Sequence, residues 1–160
     1  MTLKVVFMGT PQFAVPALKK ICESEMDIVA VYSQPPRKSN RGMKIEKSPV
    51  HEFADDNNLN IRTPSKLDDD WEYFKSLKFD LAIVVAYGQI ISKNFLELPE
   101  HGFLNIHASI LPKWRGAAPI QRSIMEQDTF TGISIMQIEE QLDAGPVLIK
   151  QEIELNANST

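Results

Sequence analysis

Asn105 and His107 stand two residues apart at the end of the apolar run Gly102-Phe103-Leu104-Asn105-Ile106. On a strand, that spacing projects both side chains to the same face. Asp143 follows some way on, in the turn-like stretch Gln141-Leu142-Asp143-Ala144-Gly145-Pro146. An amide, an imidazole and a carboxylate together suit the addition of an amine to a carbonyl. The Asn105 amide can donate to a developing oxyanion, and the His107 imidazole can move protons. Asp143 can orient that ring, favour its charged form or hold a relaying water. No Ser, Cys or Lys is paired with the histidine as a nucleophile, so direct transfer is expected over a covalent intermediate. Spacing alone also fits a buried histidine satisfied for structural reasons. His51, on an expected helix, and His101, in a turn beside Glu100, are weaker candidates. Neither HExxH nor CxxC occurs, and no metal site is expected.

The elements that must position these residues alternate. Leu3–Met8, Ile28–Tyr32, Leu81–Ala86, Gly102–Ile106 and Gly132–Ile138 are short apolar runs of strand character, with a weaker one at Asn60–Thr63. Helical spacing follows the first run through Phe13, Val15, Leu18, Ile21 and Cys22. Further helices are expected at Pro49–Asn57, capped by Ser48, at Ser65–Lys78 and at Ala118–Met125. The pattern implies an α/β fold, a Rossmann-like doubly wound and mainly parallel sheet. In such sheets ligands gather at the carboxyl ends of the strands, here the loops after Met8, Tyr32, Ala86, Ile106 and Ile138. The first turn, Gly9-Thr10-Pro11, has one glycine where a dinucleotide fingerprint needs three, and no GxxxxGK[ST] occurs. Dehydrogenase and P-loop chemistry are therefore disfavoured, and Gly9 is read as serving the strand-to-helix turn.

Composition bounds the rest. The 160 residues are 43% hydrophobic and 24% charged, which excludes a disordered or low-complexity chain. The longest apolar run, Leu81–Tyr87, is far below the ~20 residues of a membrane span, and the N-terminus lacks a signal-peptide pattern. A soluble, cytoplasmic protein with no membrane partner is expected. Its single cysteine, Cys22, reads as a half-buried thiol. The net charge is −4, yet Pro35–Val50 carries +4 and leaves −8 on the remainder. That basic, Gly- and Ser-containing loop suits phosphate contact.

The run from Gly102 to Gln121, GFLNIHASILPKWRGAAPIQ, resembles the signature of 10-formyltetrahydrofolate-dependent formyltransferases. Within that superfamily Trp114–Arg122 is similar to the branch that formylates methionyl-tRNA. The likeness extends through Phe7–Pro11, Val85–Ile90 and Leu142–Gly145. It implies a Rossmann-like formyltransferase domain with Asn105, His107 and Asp143 as its catalytic set. It also implies folate contacts from Ser109, Ile110, Leu111 and Pro112, and from the pterin-lining turn Tyr87, Gly88, Gln89 and Ile90. The formyl donor would be 10-formyltetrahydrofolate, and the partner initiator methionyl-tRNA. Arg41 matches the branch's loop arginine for tRNA, supported by Arg37, Lys38 and Lys44. Trp114 would either pack its loop down or face substrate. By the same resemblance, residues 1–160 are the front of a catalytic domain, incomplete at its C-terminal end. A C-terminal tRNA-binding β-barrel would be absent, so the piece would use tRNA poorly. A monomer is expected. The alternatives are a sugar-nucleotide N-formyltransferase with the same donor, and a non-catalytic folate- or RNA-binding module.

Overall fold

A computed structural model of the chain describes residues 2–38, 44–156, 158 and 159. The chain forms two compact units, Met1–Phe103 and Leu104–Thr160.

In the first unit, β1 (Lys4–Gly9) pairs in parallel with β2 (Asp27–Tyr32). The helix between them, α1 (Val15–Cys22), buries Leu18 and Ile21 and leaves Cys22 exposed. The half-buried expectation for that thiol is thus corrected: Cys22 falls outside the buried stripe of a short amphipathic helix. The hairpin strands β3 (Arg37–Lys38) and β4 (Ile45–Glu46) pair antiparallel. Next comes α2 (Pro49–Asp56), where Ser48 Oγ accepts the His51 N–H at 3.1 Å, as the N-cap reading required. The edge strand β5 (Ile61–Arg62) joins β2 in parallel and is shorter than expected. β6 (Leu81–Val85) joins β1 in parallel and is buried along its whole length. The order in this unit is β5-β2-β1-β6.

Gly9 lies where backbones close in. A Cβ there would stand 2.9 Å from both the Ala14 Cβ and the Val85 carbonyl oxygen, which supports its structural reading. Tyr32, Phe74, Phe79, Phe95 and Phe103 form an aromatic cluster whose contacting rings have centroids 5.0–6.4 Å apart. The helix expected over Ser65–Lys78 is broken into a 3₁₀ turn, Leu67–Asp70, and α3 (Trp71–Ser76). The reason is non-local. The Asp70 carboxylate is drawn to the Arg62 guanidinium and accepts from the Tyr32 hydroxyl at 2.7 Å. Burial raises the Asp70 carboxyl, but those two partners outweigh it and hold the group below the usual carboxylate range. Its stabilisation is therefore present above about pH 4 and lost as pH falls through the folded-state value. On acidification, the urea midpoint of the native chain should fall more steeply than that of Asp70→Asn; parallel slopes would refute this. α4 (Lys93–Leu96) buries Phe95 near the end of the unit.

Three antiparallel strands carry the second unit: β7 (Phe103–His107, its first residue in the first unit), β8 (Phe130–Gln137) and β9 (Val147–Glu154). α5 (Pro119–Met125) enters through Ala118 in the left-handed region. The direction of β8 corrects one expectation. Leu104 pairs with Gln137 and His107 with Ser134, so the loop after β8 starts beside the first residues of β7. It does not start at the carboxyl end of β7, as a parallel β8 would require. Between β8 and β9 there is no room for a side chain at Gly132, whose Cβ would lie 2.0 Å from the Gln151 carbonyl oxygen.

Candidate functional site

β7 delivers Asn105 and His107 on one face, and the loop after β8 folds back to bring Asp143 to both. Asn105 Nδ2 donates to Asp143 Oδ1 at 3.4 Å, and His107 Nδ1 lies 3.8 Å from Asp143 Oδ2. The second separation is an ion-pair distance, too long for a hydrogen bond. Asp143 Oδ2 accepts instead from the Gly116 N–H at 2.7 Å. The His107 and Asp143 side chains are only 8% and 9% exposed, so a positive charge placed on the ring would meet the carboxylate in a poorly screened setting. Asp143 itself has φ +48, a conformation that a non-glycine residue holds only where its surroundings dictate it.

The orienting contact of the imidazole comes from elsewhere. His107 Nε2 lies 2.8 Å from the Trp114 carbonyl oxygen. A carbonyl can only accept, so Nε2 carries the proton and, in the neutral ring, Nδ1 keeps its lone pair. The Trp114 indole donates to Asp128 Oδ2 at 2.7 Å, so this side chain packs its loop down. Arg115 is exposed, while Gly116 has φ +84 and serves Asp143 through its backbone.

Ser109-Ile110-Leu111-Pro112 follows β7 directly. Ser109 and Leu111 are buried, and their polar groups are already engaged. Ser109 Oγ donates to Lys113 O, the Ser109 carbonyl accepts from Ser134 Oγ, and the Leu111 N–H donates to Ser134 Oγ. Lys150 Nζ donates to the Leu111 carbonyl. Ile110 and Pro112 are the members of the segment left at least partly accessible.

The remaining sequence-predicted residues lie in the first unit. Tyr87 is buried, and its carbonyl accepts from Thr10 Oγ1 at 2.8 Å. Gly88 has φ +85, Gln89 Nε2 donates to the Pro64 carbonyl at 3.0 Å, and Ile90 is 93% exposed. At the ends of β1, β2 and β6 a cleft of about 430 Å³ is lined by Thr10, Gln34, Arg37, Lys38, Lys47 and Gly88 among others. The cations Arg37, Lys38 and Lys44 are exposed, and Arg41 lies outside the described residues.

Residues 3–160 match the formyl transferase family. The chain belongs to the formyl transferase family. It is 61% identical over 150 residues to a methionyl-tRNA formyltransferase of Pelagibacter ubique, covering 92% of this chain and 48% of that protein. It is 51% identical over 160 residues to one of Parvibaculum lavamentivorans, covering 99% and 52%. The chain thus spans about half the length of these curated relatives. Among solved structures, the phosphoribosylglycinamide formyltransferase of Bacillus halodurans superposes with TM-score 0.79 at 16% identity, covering 98% of this chain and 82% of that one. A formyltetrahydrofolate deformylase of Pseudomonas syringae gives 0.79 at 17%, covering 100% and 54%. At such identities the likeness shows the fold, and the expected α/β, mainly parallel formyltransferase architecture stands.

For this formyl transferase chain, sequence reasoning passed over Ser134, Lys150, Asp128 and the Trp114 carbonyl. Ser134 alone left a signal, as a polar residue within the apolar run Gly132–Ile138. In the second unit Leu142, beside Asp143, is 72% exposed. Among the described residues no helix is long and apolar enough to cross a membrane.

Proposed function

We propose that this chain carries formyl transfer from 10-formyltetrahydrofolate to the α-amine of methionyl-tRNA. The observation that carries the proposal is the Asn105–Asp143–His107 cluster, in which His107 is buried, its Nε2 faces a carbonyl and its Nδ1 faces a carboxylate. The relatives' names support the choice of reaction.

When bound, the donor supplies an activated formyl carbon. Asn105 spends one amide N–H on Asp143 and offers the other to the oxygen that gains charge as the amine adds. His107 Nδ1 takes the proton from the attacking amine, and Asp143 stabilises the imidazolium so formed. The new N–C bond forms in that addition, and the bond to the folate nitrogen breaks afterwards as the carbonyl re-forms. His107 returns its proton to that leaving nitrogen, so the protein ends unchanged. Ile110, Pro112, Gly88 and Ile90 contact the folate, while Ser109, Leu111, Tyr87 and Gln89 hold the two folate-binding segments in shape. Arg41, Arg37, Lys38 and Lys44 contact acceptor-end phosphates, where each cation displaces condensed counterions.

The test compares acceptors at fixed 10-formyltetrahydrofolate, with methionyl-tRNA in one arm and an amino-sugar nucleotide in the other. Formylation of the charged tRNA alone is expected, and Arg41→Ala should weaken tRNA use without weakening folate binding. Transfer to the amino sugar in preference would overturn the reading, and so would folate binding with no transfer to either.

A further inference from the structure

Asp128 touches none of Asn105, His107 and Asp143, yet it governs the residue that does touch the ring. It follows the last turn of α5, tied there by its own N–H to the Ser123 carbonyl at 3.0 Å. Its carboxylate binds two consecutive residues: Oδ1 pairs with Lys113 Nζ, and Oδ2 accepts from Trp114 Nε1 at 2.7 Å. Trp114 has φ +58, a conformation rarely adopted by a large L-residue unless it is imposed. Ser109 Oγ, donating to Lys113 O, fastens the same loop from the other side. The outcome is a Trp114 carbonyl aimed at His107 Nε2.

We infer that Asp128 is a positioning residue that selects the His107 tautomer, by latching Trp114 so that its carbonyl takes the Nε2 proton and Nδ1 is left as the base. The inference rests on the reading of His107 as the proton-transfer group. The latch is in place at neutral pH, since the Lys113 and then the Trp114 hydrogen bonds hold the Asp128 carboxyl below the usual carboxylate range. A carboxylate whose only task was loop folding would leave the ring tautomer unmoved when replaced in a chain that still folds.

The ring nitrogens report the answer directly. The chain labelled with ¹⁵N at histidine is examined by long-range ¹H–¹⁵N correlation near pH 8, where free imidazoles are neutral. The native chain should show His107 protonated at Nε2 and bare at Nδ1. In Asp128→Ala the Nε2–H to Nδ1–H ratio should fall roughly fivefold, the worth of one ordinary hydrogen bond. Asp128→Asn, which still offers an oxygen to the indole, should keep most of the native ratio. Should Asp128→Ala fail to fold, Trp114→Phe removes only the indole donor and should show the same fall. An unmoved ratio in folded Asp128→Ala or Trp114→Phe overturns the inference. An equal fall in Asp128→Asn would overturn the indole contact as its means. Unimpaired transfer by His107→Ala would sink the functional reading while leaving the tautomer result intact, so the two failures are distinguishable.

Discussion

Replacing His107 by alanine should slow single-turnover formyl transfer by about 10²–10⁴-fold, the usual worth of a positioned proton-transfer group. That equals roughly 3–5 kcal/mol of barrier. The size follows from the geometry. Nε2 is committed to the Trp114 carbonyl, so Nδ1 alone can accept a proton, and it lies 3.8 Å from a carboxylate with both side chains about nine-tenths buried. The variant also strands the Trp114 carbonyl, costing about 1–3 kcal/mol of stability. The rate must therefore be read beside a urea midpoint and a folate-binding measurement. A folded, folate-binding variant that retains a rate within tenfold of native would remove His107 from the chemistry.

How far the sequence foretold this geometry varies by element. β1, β2 and β6 were legible because buried parallel strands read as unbroken apolar runs, and Val5–Met8 and Leu81–Val85 are buried throughout. α2 was legible from local chemistry alone, through Ser48 and Pro49. The expected Ser65–Lys78 helix failed because Asp70 answers to Arg62 and Tyr32, partners that no local pattern names. The direction of β8 was misread because a helix between two strands suggests a parallel crossover. Its alternating burial from Thr131 to Met136 is the mark of a half-solvated antiparallel strand.

The site divides in the same way. Asn105 and His107 share a face by the two-residue period of a strand, which spacing alone reveals. Asp143 could not be placed by that logic, since its loop begins at the wrong end of β7 and returns only by folding over it. It was named from its place in the loop after Gly132–Ile138, on the expectation of a parallel strand, and the resemblance matched it to the same set. The Trp114 carbonyl left no trace, because every residue has a carbonyl and only the chain's path decides where it points. Asp128 was hidden one step further back, acting on that path through an indole.

Asp143→Asn should lower the transfer rate by roughly 10²–10³-fold with little change in folate affinity. The amide keeps an acceptor for the Gly116 N–H, so the loop is preserved, while the negative charge beside Nδ1 and the long acceptor contact to the Asn105 amide are lost. At 3.8 Å and an effective dielectric near 20, that charge is worth up to about 4 kcal/mol to an imidazolium. Relaxation and residual solvent reduce the figure to the expected range. The decisive arm is the double variant. If Asp143 works only by stabilising the charged ring, its loss costs nothing further once the ring is gone. His107→Ala with Asp143→Asn should then be about as slow as His107→Ala alone. Multiplied losses would mean that Asp143 reaches the reaction by another route, with its grip on the Asn105 amide the first place to look.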